Sequence, residues 1–174
     1  MQELLLGVDV GTTATKAVLV DSTGHIISQG RSEYPTKYLQ AGWVEQDPNE
    51  WWKSFCEAVA IAQSGAPGAK IRGIAISAQA PTLIAVDEQG SPVRNAMIWM
   101  DRRAQLEADE LAKNFPNISQ LTGNRADPYY VAAKIKWFIN NELANYQKTK
   151  YFLQIPGFLN FKLTGKFGID AAHA

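Results

Sequence analysis

A ten-residue segment near the start of the chain carries the residue types that phosphate chemistry requires. It reads GVDVGTTATK over residues 7–16, with the carboxylate of Asp9 at the end of an apolar run. A carboxylate in that position can hold Mg²⁺, directly or through water, because this ion prefers oxygen ligands and keeps several waters. Glycine lets a backbone approach a ligand closely, and turn N–H groups with hydroxyls can hydrogen-bond a terminal phosphate. The candidate phosphate-binding residues are therefore Gly11, Thr12, Thr13 and the nearby cation Lys16.

The same segment has a second interpretation. The P-loop pattern G-x-x-x-x-G-K-[ST] does not occur in the chain, so a phosphate site here would not be of the Walker type. An ordinary hairpin would have the same residues if its threonines were there only because they favour strands. The ten residues alone leave both a phosphate cradle and a structural hairpin open.

Composition narrows the class of protein. Apolar residues make up 46% of the 174 residues, enough for a sizeable core in one ordinary domain. Lys plus Arg and Asp plus Glu are 17 each, so the zero net charge gives no reason to expect nucleic acid or an anionic membrane as partner. The single cysteine excludes an internal disulfide framework, and no apolar run approaches the roughly 18 residues of a membrane helix. We expect a cytoplasmic protein.

The beginning of the chain predicts strands joined by short turns. Residues 4–10 form a nearly continuous apolar run, which is typical of a buried strand. Residues 15–21 and 25–30 are the next strand candidates, and a Ser-Thr-Gly turn signal separates them. Three strands with such short connections predict an antiparallel meander.

Helices and strands alternate in the rest of the chain. A helix is predicted from about Pro48, with Cys56 buried next to its apolar face. Further strands are predicted at residues 71–77, 83–86 and 97–100, and further helices at Leu106, Leu111 and Phe115, at Val131, Ile135, Phe138 and Ile139, and at residues 158–163. This order predicts an α/β domain on a mixed sheet, with no linker that would split it.

Three further segments contain distinctive motifs. Residues 42–48 read GWVEQDP and are followed by two tryptophans, and residues 98–103 read IWMDRR. Residues 121–137 contain LTG, DPY and a lysine three residues before a tryptophan. In this order the segments resemble the "G-W-x-E-x-D-P…W", "W-x-D-x-R" and "T-G…K-x-x-W" stretches of the FGGY family of carbohydrate kinases. With the Asp9 hairpin, the resemblance covers essentially the whole chain.

The resemblance implies a fold and an activity. The fold would be a ribonuclease H-like domain of the actin, hexokinase and Hsp70 superfamily, with an antiparallel three-stranded start and flanking helices. The activity would be transfer of the γ-phosphate of ATP to a sugar or polyol hydroxyl. By this resemblance Asp9 positions Mg²⁺ and ATP, and Thr12, Thr13 and Lys16 lie at the phosphates. The implied partners are a small-molecule sugar and ATP, with no nucleic acid and no membrane, and a homodimer is possible at full length.

The loop after the strand at residues 71–77 is where such kinases recognise their substrate. Here it reads AQAPT, whereas glycerol kinases have Gln-Arg-Glu-Thr and xylulose kinases have Gln-Met-His-Gly. A pentulose such as xylulose is favoured, while other ketoses, sugar acids and polyols stay open. Two alternatives also stay open: the Ala-Pro pair as a merely rigid loop, and Asp101 as a structural ion-pair partner. The candidate sugar-binding residues are Gln79, Ala80, Pro81, Trp99, Asp101 and Tyr129.

The resemblance also implies missing parts. The family's catalytic base is an Asp in a later Gly-x-x-Asp motif, followed by the adenine-binding domain. We therefore expect residues 1–174 to be a first domain that is itself incomplete, without the second nucleotide-binding domain and inactive alone. The alternatives are a binding module without turnover and an actin-like scaffold. The motifs at residues 43–52 and 99–102 count against the scaffold, because actin-like proteins do not share them.

Overall fold

The computed structural model describes residues 2–169. Met1 and residues 170–174 lie outside the described residues. The chain divides into two compact units: Met1–Thr36 with Pro48–Gln79 form unit 1, and Lys37–Asp47 with Ala80–Ala174 form unit 2. Each unit is built from two separate stretches of chain, which is why no single linker in the sequence marks the division. That residues 1–174 form an incomplete first domain stays a prediction.

The described residues form strands and helices in mixed order. The strands are β1 (Glu3–Val10), β2 (Ala14–Val20), β3 (Ile26–Glu33), β4 (Lys37–Gln40), β5 (Trp43–Gln46), β6 (Lys70–Ala78), β7 (Ile84–Val86), β8 (Ala96–Met97) and β9 (Tyr151–Leu153). The helices are α1 (Pro48–Ser64), α2 (Gln105–Asn114), α3 (Ile118–Thr122), α4 (Val131–Asn141), α5 (Leu143–Lys148) and α6 (Ile155–Thr164). No helix within residues 2–169 is both long enough and apolar enough to cross a membrane.

Unit 1 is a four-stranded sheet in the order β3-β2-β1-β6. The first three strands pair antiparallel, as the short turns predict, and β6 pairs parallel to β1. The expected mixed sheet with an antiparallel start is therefore confirmed. Alternate residues of β1 are buried, because a strand turns successive side chains to opposite faces.

Helix α1 packs in unit 1 through the apolar face that the sequence predicts. Trp51, Phe55, Ala58 and Ala62 are all buried, at helical spacing. At Gly30 of β3 the helix comes so close that an added Cβ would overlap the carbonyl oxygen of Ala58. The prediction for Cys56 is wrong: its side chain is exposed, because its position turns away from this face.

Unit 2 contains a three-stranded sheet in the order β4-β5-β8 and a two-stranded sheet of β7 and β9. One part of its core is a cluster of buried residues from strands and helices: Leu83, Ala85, Met97, Ala104, Ala108, Ala133, Trp137 and Phe138. The predicted apolar face of α2 is confirmed only at Leu111, which packs against this cluster, because Leu106 is 76% and Phe115 is 50% exposed. The buried residues of α2 are Glu107 and Ala108.

Candidate functional site

The Asp9 segment is a hairpin between β1 and β2 in unit 1. Asp9 lies directly opposite Lys16 in the register of the two strands, and both side chains are exposed. The turn is tight, because the N–H of Gly11 donates to the carbonyl oxygen of Ala14 at 3.0 Å. The sequence therefore places a carboxylate and an ammonium group side by side, at the base of a turn that contains the two threonines.

The backbone at Gly11 leaves room for a small group beside Asp9. A Cβ added at Gly11 would lie 3.4 Å from the carbonyl oxygen of Ala14 and 3.8 Å from Oδ2 of Asp9, which are ordinary contact distances. Within residues 2–169, no group of three or more His, Cys, Asp or Glu residues could hold a metal ion. A Mg²⁺ ion at Asp9 would thus take its other ligands from phosphate oxygens and water, as this ion commonly does.

Tyr34 also holds this hairpin, which the sequence did not indicate. Its hydroxyl donates to the carbonyl oxygen of Gly11, and its backbone N–H donates to the carbonyl oxygen of Thr13 at 3.2 Å. The residue is only 6% exposed. Burial, and then the negative charge of Asp9, raise the pKa of Tyr34 well above its ordinary value. Tyr34 reaches this turn because the register of β2 with β3 pairs Ala14 with Glu33, and the residue types alone do not show that register.

Gln79 is the first polar residue of the predicted sugar loop. It follows β6 directly and lies at the same edge of the sheet as this hairpin. Strands β1 and β6 are parallel neighbours, with Val10 opposite Ala78. The N–H of Gln79 donates to the carbonyl oxygen of Val10 at 2.9 Å. Ligands of α/β sheets commonly bind outside the carboxyl ends of the strands. The predicted phosphate hairpin and the start of the predicted sugar loop thus share the edge at which a ligand is expected.

The remainder of the loop belongs to unit 2. Pro81 is buried and follows a cis peptide bond, so its own side chain offers little surface to a ligand. The hydroxyl of Tyr129 donates to the carbonyl oxygen of Ala80 at 3.0 Å. The N–H of Thr82 donates to Oε1 of the buried Gln154 at 2.7 Å, a contact that sequence reasoning missed. The structure thus brings Ala80 and Tyr129 together and fixes the loop from two sides.

A cavity of about 470 Å³ in unit 2 includes Tyr129 in its wall. Asp127 also lies in this wall, and its carboxylate accepts hydrogen bonds from Arg102 at 2.6 Å and from Arg125 at 3.1 Å. Burial acts to raise the pKa of Asp127, but hydrogen bonds from Tyr129 and Arg102 lower it overall. The lining is polar and aromatic, and it includes Arg102, Ser119, Asn124, Asp127, Tyr129 and Tyr130.

Asp101 is fully buried in unit 2, at 0% exposure. Its Oδ2 accepts hydrogen bonds from the N–H of Val44 and from a guanidinium nitrogen of Arg103, both at 2.7 Å. Its Oδ1 accepts from the N–H of Arg103 at 3.1 Å. Because both oxygens are engaged and none reaches solvent, the structure favours the ion-pair alternative over direct sugar contact. The candidate assignment of Asp101 as a sugar ligand is corrected to a structural role.

Trp99 lies in a turn that precedes Asp101. The N–H of Asp101 donates to the carbonyl oxygen of Ile98 at 3.0 Å, and the ammonium group of Lys134 donates to the same oxygen at 2.8 Å. Trp99 is 37% exposed. Lys134 is fully buried, and burial lowers its pKa to about 8. In the sequence this lysine was only part of a motif. In the structure it stabilises the turn through its hydrogen bond to the Ile98 carbonyl.

Comparison with known proteins identifies relatives along the whole chain. The sequence model of the "FGGY family of carbohydrate kinases, N-terminal domain" matches residues 4–174. A glycerol kinase of Thermococcus onnurineus is 32% identical over 181 residues, covering 100% of this chain and 37% of that protein. The chain thus spans well under half the length of this curated relative.

Solved structures show the same fold. A xylulose kinase from Rhodospirillum rubrum superposes with a TM-score of 0.92 at 26% identity, covering 96% of this chain and 36% of that one. A glycerol kinase from Plasmodium falciparum, solved with ADP, gives a TM-score of 0.86 at 28% identity, covering 94% of this chain and 35% of that one. The predicted α/β fold of the actin, hexokinase and Hsp70 superfamily is confirmed.

Proposed function

Because the chain belongs to the FGGY family of carbohydrate kinases, we propose that the protein to which it belongs transfers the γ-phosphate of ATP to a sugar hydroxyl. The main support for this proposal is one edge of the sheet in unit 1. At that edge the Asp9 hairpin and Gln79 lie at the carboxyl ends of the adjacent parallel strands β1 and β6. A phosphate donor and a hydroxyl acceptor need such neighbouring sites, because phosphoryl transfer depends on positioning and charge neutralisation rather than on covalent catalysis.

The hairpin residues receive the nucleotide in this proposal. The carboxylate of Asp9 positions Mg²⁺, and the ion, when bound, neutralises charge on the phosphate oxygens. The absence of a side chain at Gly11 lets the terminal phosphates approach the backbone. The hydroxyls of Thr12 and Thr13 and the ammonium group of Lys16 contact the phosphate oxygens. The glycerol kinase from Plasmodium falciparum was solved with ADP, which supports a nucleotide as the ligand.

The sugar side of the proposal rests on Gln79, Ala80, Trp99 and Tyr129. The Tyr129 hydroxyl donates to the Ala80 carbonyl, and Trp99 is an exposed aromatic residue of the type that contacts sugars. Pro81 shapes the loop from a buried position. We favour a pentulose such as xylulose, since the loop lacks the Arg and Glu of glycerol kinases and the stretch from Trp99 to Asp101 resembles pentulose kinases more. Gln79 is common to both kinds of kinase, and the Met and His of xylulose kinases are missing here as well.

The general base is proposed to lie outside residues 1–174. A base must reach the acceptor hydroxyl, within about 3 Å or through one water. Asp101, the alternative within this chain, is buried with both oxygens hydrogen-bonded, so it cannot do this. We therefore expect the isolated chain to transfer no phosphate, and the alternative of a binding module without turnover stays open.

A substrate panel on the full-length protein tests the proposal. ATP consumption and the phosphorylated product are measured with xylulose, other ketopentoses, glycerol and aldonic acids. We expect sugar-dependent turnover with a ketopentose as the best substrate. Turnover that is best with glycerol would reject the pentulose assignment, and no turnover with any polyol would reject the kinase. Calorimetry with ATP and xylulose on residues 1–174 then distinguishes a binding module from an inert piece.

A further inference from the structure

Tyr34 makes two contacts with the hairpin from a single position at the end of β3. Its hydroxyl reaches the carbonyl oxygen of Gly11, and its backbone N–H reaches the carbonyl oxygen of Thr13. These two carbonyls flank Thr12. The tight bond from the N–H of Gly11 to the carbonyl of Ala14 closes the same turn at 3.0 Å. Tyr34 therefore acts on the part of the hairpin where phosphate oxygens are proposed to bind.

The contacts determine where the amide groups of the hairpin point. A peptide unit is planar and trans, so its N–H points opposite to its C=O. Holding the carbonyl of Gly11 therefore fixes the direction of the N–H of Thr12, and holding the carbonyl of Thr13 fixes that of Ala14. Backbone N–H groups in turns are the donors that form anion-binding concavities. Their direction decides whether a phosphate finds them already oriented.

The environment keeps the Tyr34 hydroxyl in its donating form. The residue is buried, and the charge of Asp9 is near enough to disfavour a second negative charge. A protonated hydroxyl donates to the Gly11 carbonyl throughout the neutral pH range. The same tyrosine is thus poorly suited to act as a proton acceptor.

We infer that Tyr34 is a positioning residue that holds the hairpin at Gly11, Thr12 and Thr13 in the conformation that receives the terminal phosphates of the nucleotide. This inference rests on the proposed function, and it assigns to Tyr34 a role in nucleotide affinity rather than in sugar recognition. Tyr34 itself does not touch the reacting atoms.

The test is Tyr34→Phe in the full-length protein, which removes the hydroxyl and keeps the ring. We expect KM for MgATP to rise about 3- to 10-fold, the effect of one hydrogen bond, with KM for the sugar unchanged. Tyr38→Phe is the matched control, because Tyr38 is 70% exposed, and it should change neither constant. An equal rise in both constants, or no rise, would overturn the inference.

A second measurement keeps this test independent of catalysis. Amide hydrogen exchange at Thr12, whose N–H shares a peptide unit with the Gly11 carbonyl, should be about 3- to 10-fold faster without nucleotide in Tyr34→Phe than in the wild type or in Tyr38→Phe. Unchanged exchange overturns the inference even if the kinetics cannot be measured. If the wild type phosphorylates no sugar, the proposed function fails, while exchange still decides the role of Tyr34 in the hairpin.

Discussion

The guanidinium of Arg103 lies over the ring of Trp43, 4.0 Å from its centroid, inside unit 2. The same guanidinium bonds Asp101 at 2.7 Å and Glu45 at 2.8 Å, and it lies 4.9 Å from the ring centroid of Trp137. Trp43, Asp101 and Trp137 come from the three segments that carry the family resemblance beyond the hairpin. These three motif residues therefore contact the same arginine side chain inside unit 2, which indicates a structural role for them.

The buried Asp101–Arg103 pair predicts a large stability effect. Asp101→Asn removes one of the two negative charges that compensate a guanidinium whose side chain is only 1% exposed, and Glu45 remains as the other. We expect the free energy of unfolding to fall by about 3 kcal/mol, as when one partner of a buried ion pair is lost. Urea denaturation measures it, and Asp109→Asn on the exposed surface of α2 is the control. Equal stability of the two variants would show that the pair is not essential.

Lys134 predicts a dependence of stability on pH. Its pKa is about 8 in the folded state and near 10.5 when unfolded, because burial disfavours the charged form. Below pH 8 both states are protonated and the burial cost is fully present. Between pH 8 and 10.5 the unfolded state binds more protons, so this group makes stability rise with pH, by up to about 3 kcal/mol.

A variant isolates this contribution. Lys134→Met removes the titrating group and keeps an unbranched side chain, although it leaves the carbonyl of Ile98 without the lysine donor. The difference in unfolding free energy between wild type and variant, measured from pH 7 to 10.5, should shift in favour of the wild type as pH rises. A difference that stays constant across this range would contradict the burial cost assigned to Lys134.

Much of unit 1 could be predicted from local sequence. Apolar runs and short turns determine the three-stranded meander, and the face of α1 follows from helical spacing alone. The roles of Tyr34 and Asp101 could not be predicted in this way. Each depends on a partner brought close by strand register or by tertiary packing, and the residue type alone does not reveal it.

The prediction for α2 was wrong at Leu106 and Phe115 for a physical reason. Large apolar side chains were assumed to face the core, yet Leu106 is exposed while the small Ala108 is buried. Ala108 of α2 and Ala133 of α4 belong to the same buried cluster, and Leu111 packs against it. Side-chain size indicates burial poorly where two helices pack through alanines.

We expect alanine substitution to have opposite effects at Gly11 and Gly30, on nucleotide kinetics at the first and on stability at the second. Gly11→Ala places a methyl group at ordinary contact distances, so stability should change by less than about 0.5 kcal/mol. The methyl would occupy the space proposed for phosphate, so KM for MgATP should rise about 10-fold or more. Gly30→Ala would overlap α1 and should cost about 1–3 kcal/mol of stability instead.

Thermal unfolding and nucleotide kinetics of both variants in the full-length protein check this contrast. A loss of stability in Gly11→Ala would mean that the hairpin glycine serves the fold. Unchanged MgATP kinetics in a stable Gly11→Ala protein would remove this glycine from the nucleotide site.

Asp9 is the strongest single test of the hairpin. Asp9→Ala in the full-length protein should lower kcat by about 10²-fold or more, because the charge that positions Mg²⁺ is lost. Stability should hardly change, since the carboxylate is exposed on its strand. Steady-state kinetics at several Mg²⁺ concentrations measure the effect, and Asp109→Ala is the exposed control.

The Mg²⁺ dependence separates a metal role from a purely structural one. Asp9→Asn keeps the shape of the side chain but weakens its affinity for a hard cation. The Mg²⁺ concentration needed for half-maximal rate should therefore rise in Asp9→Asn, and excess Mg²⁺ should restore part of kcat. A loss of activity that no Mg²⁺ concentration relieves would point to a distorted hairpin, and an unchanged rate would refute the assignment of Asp9.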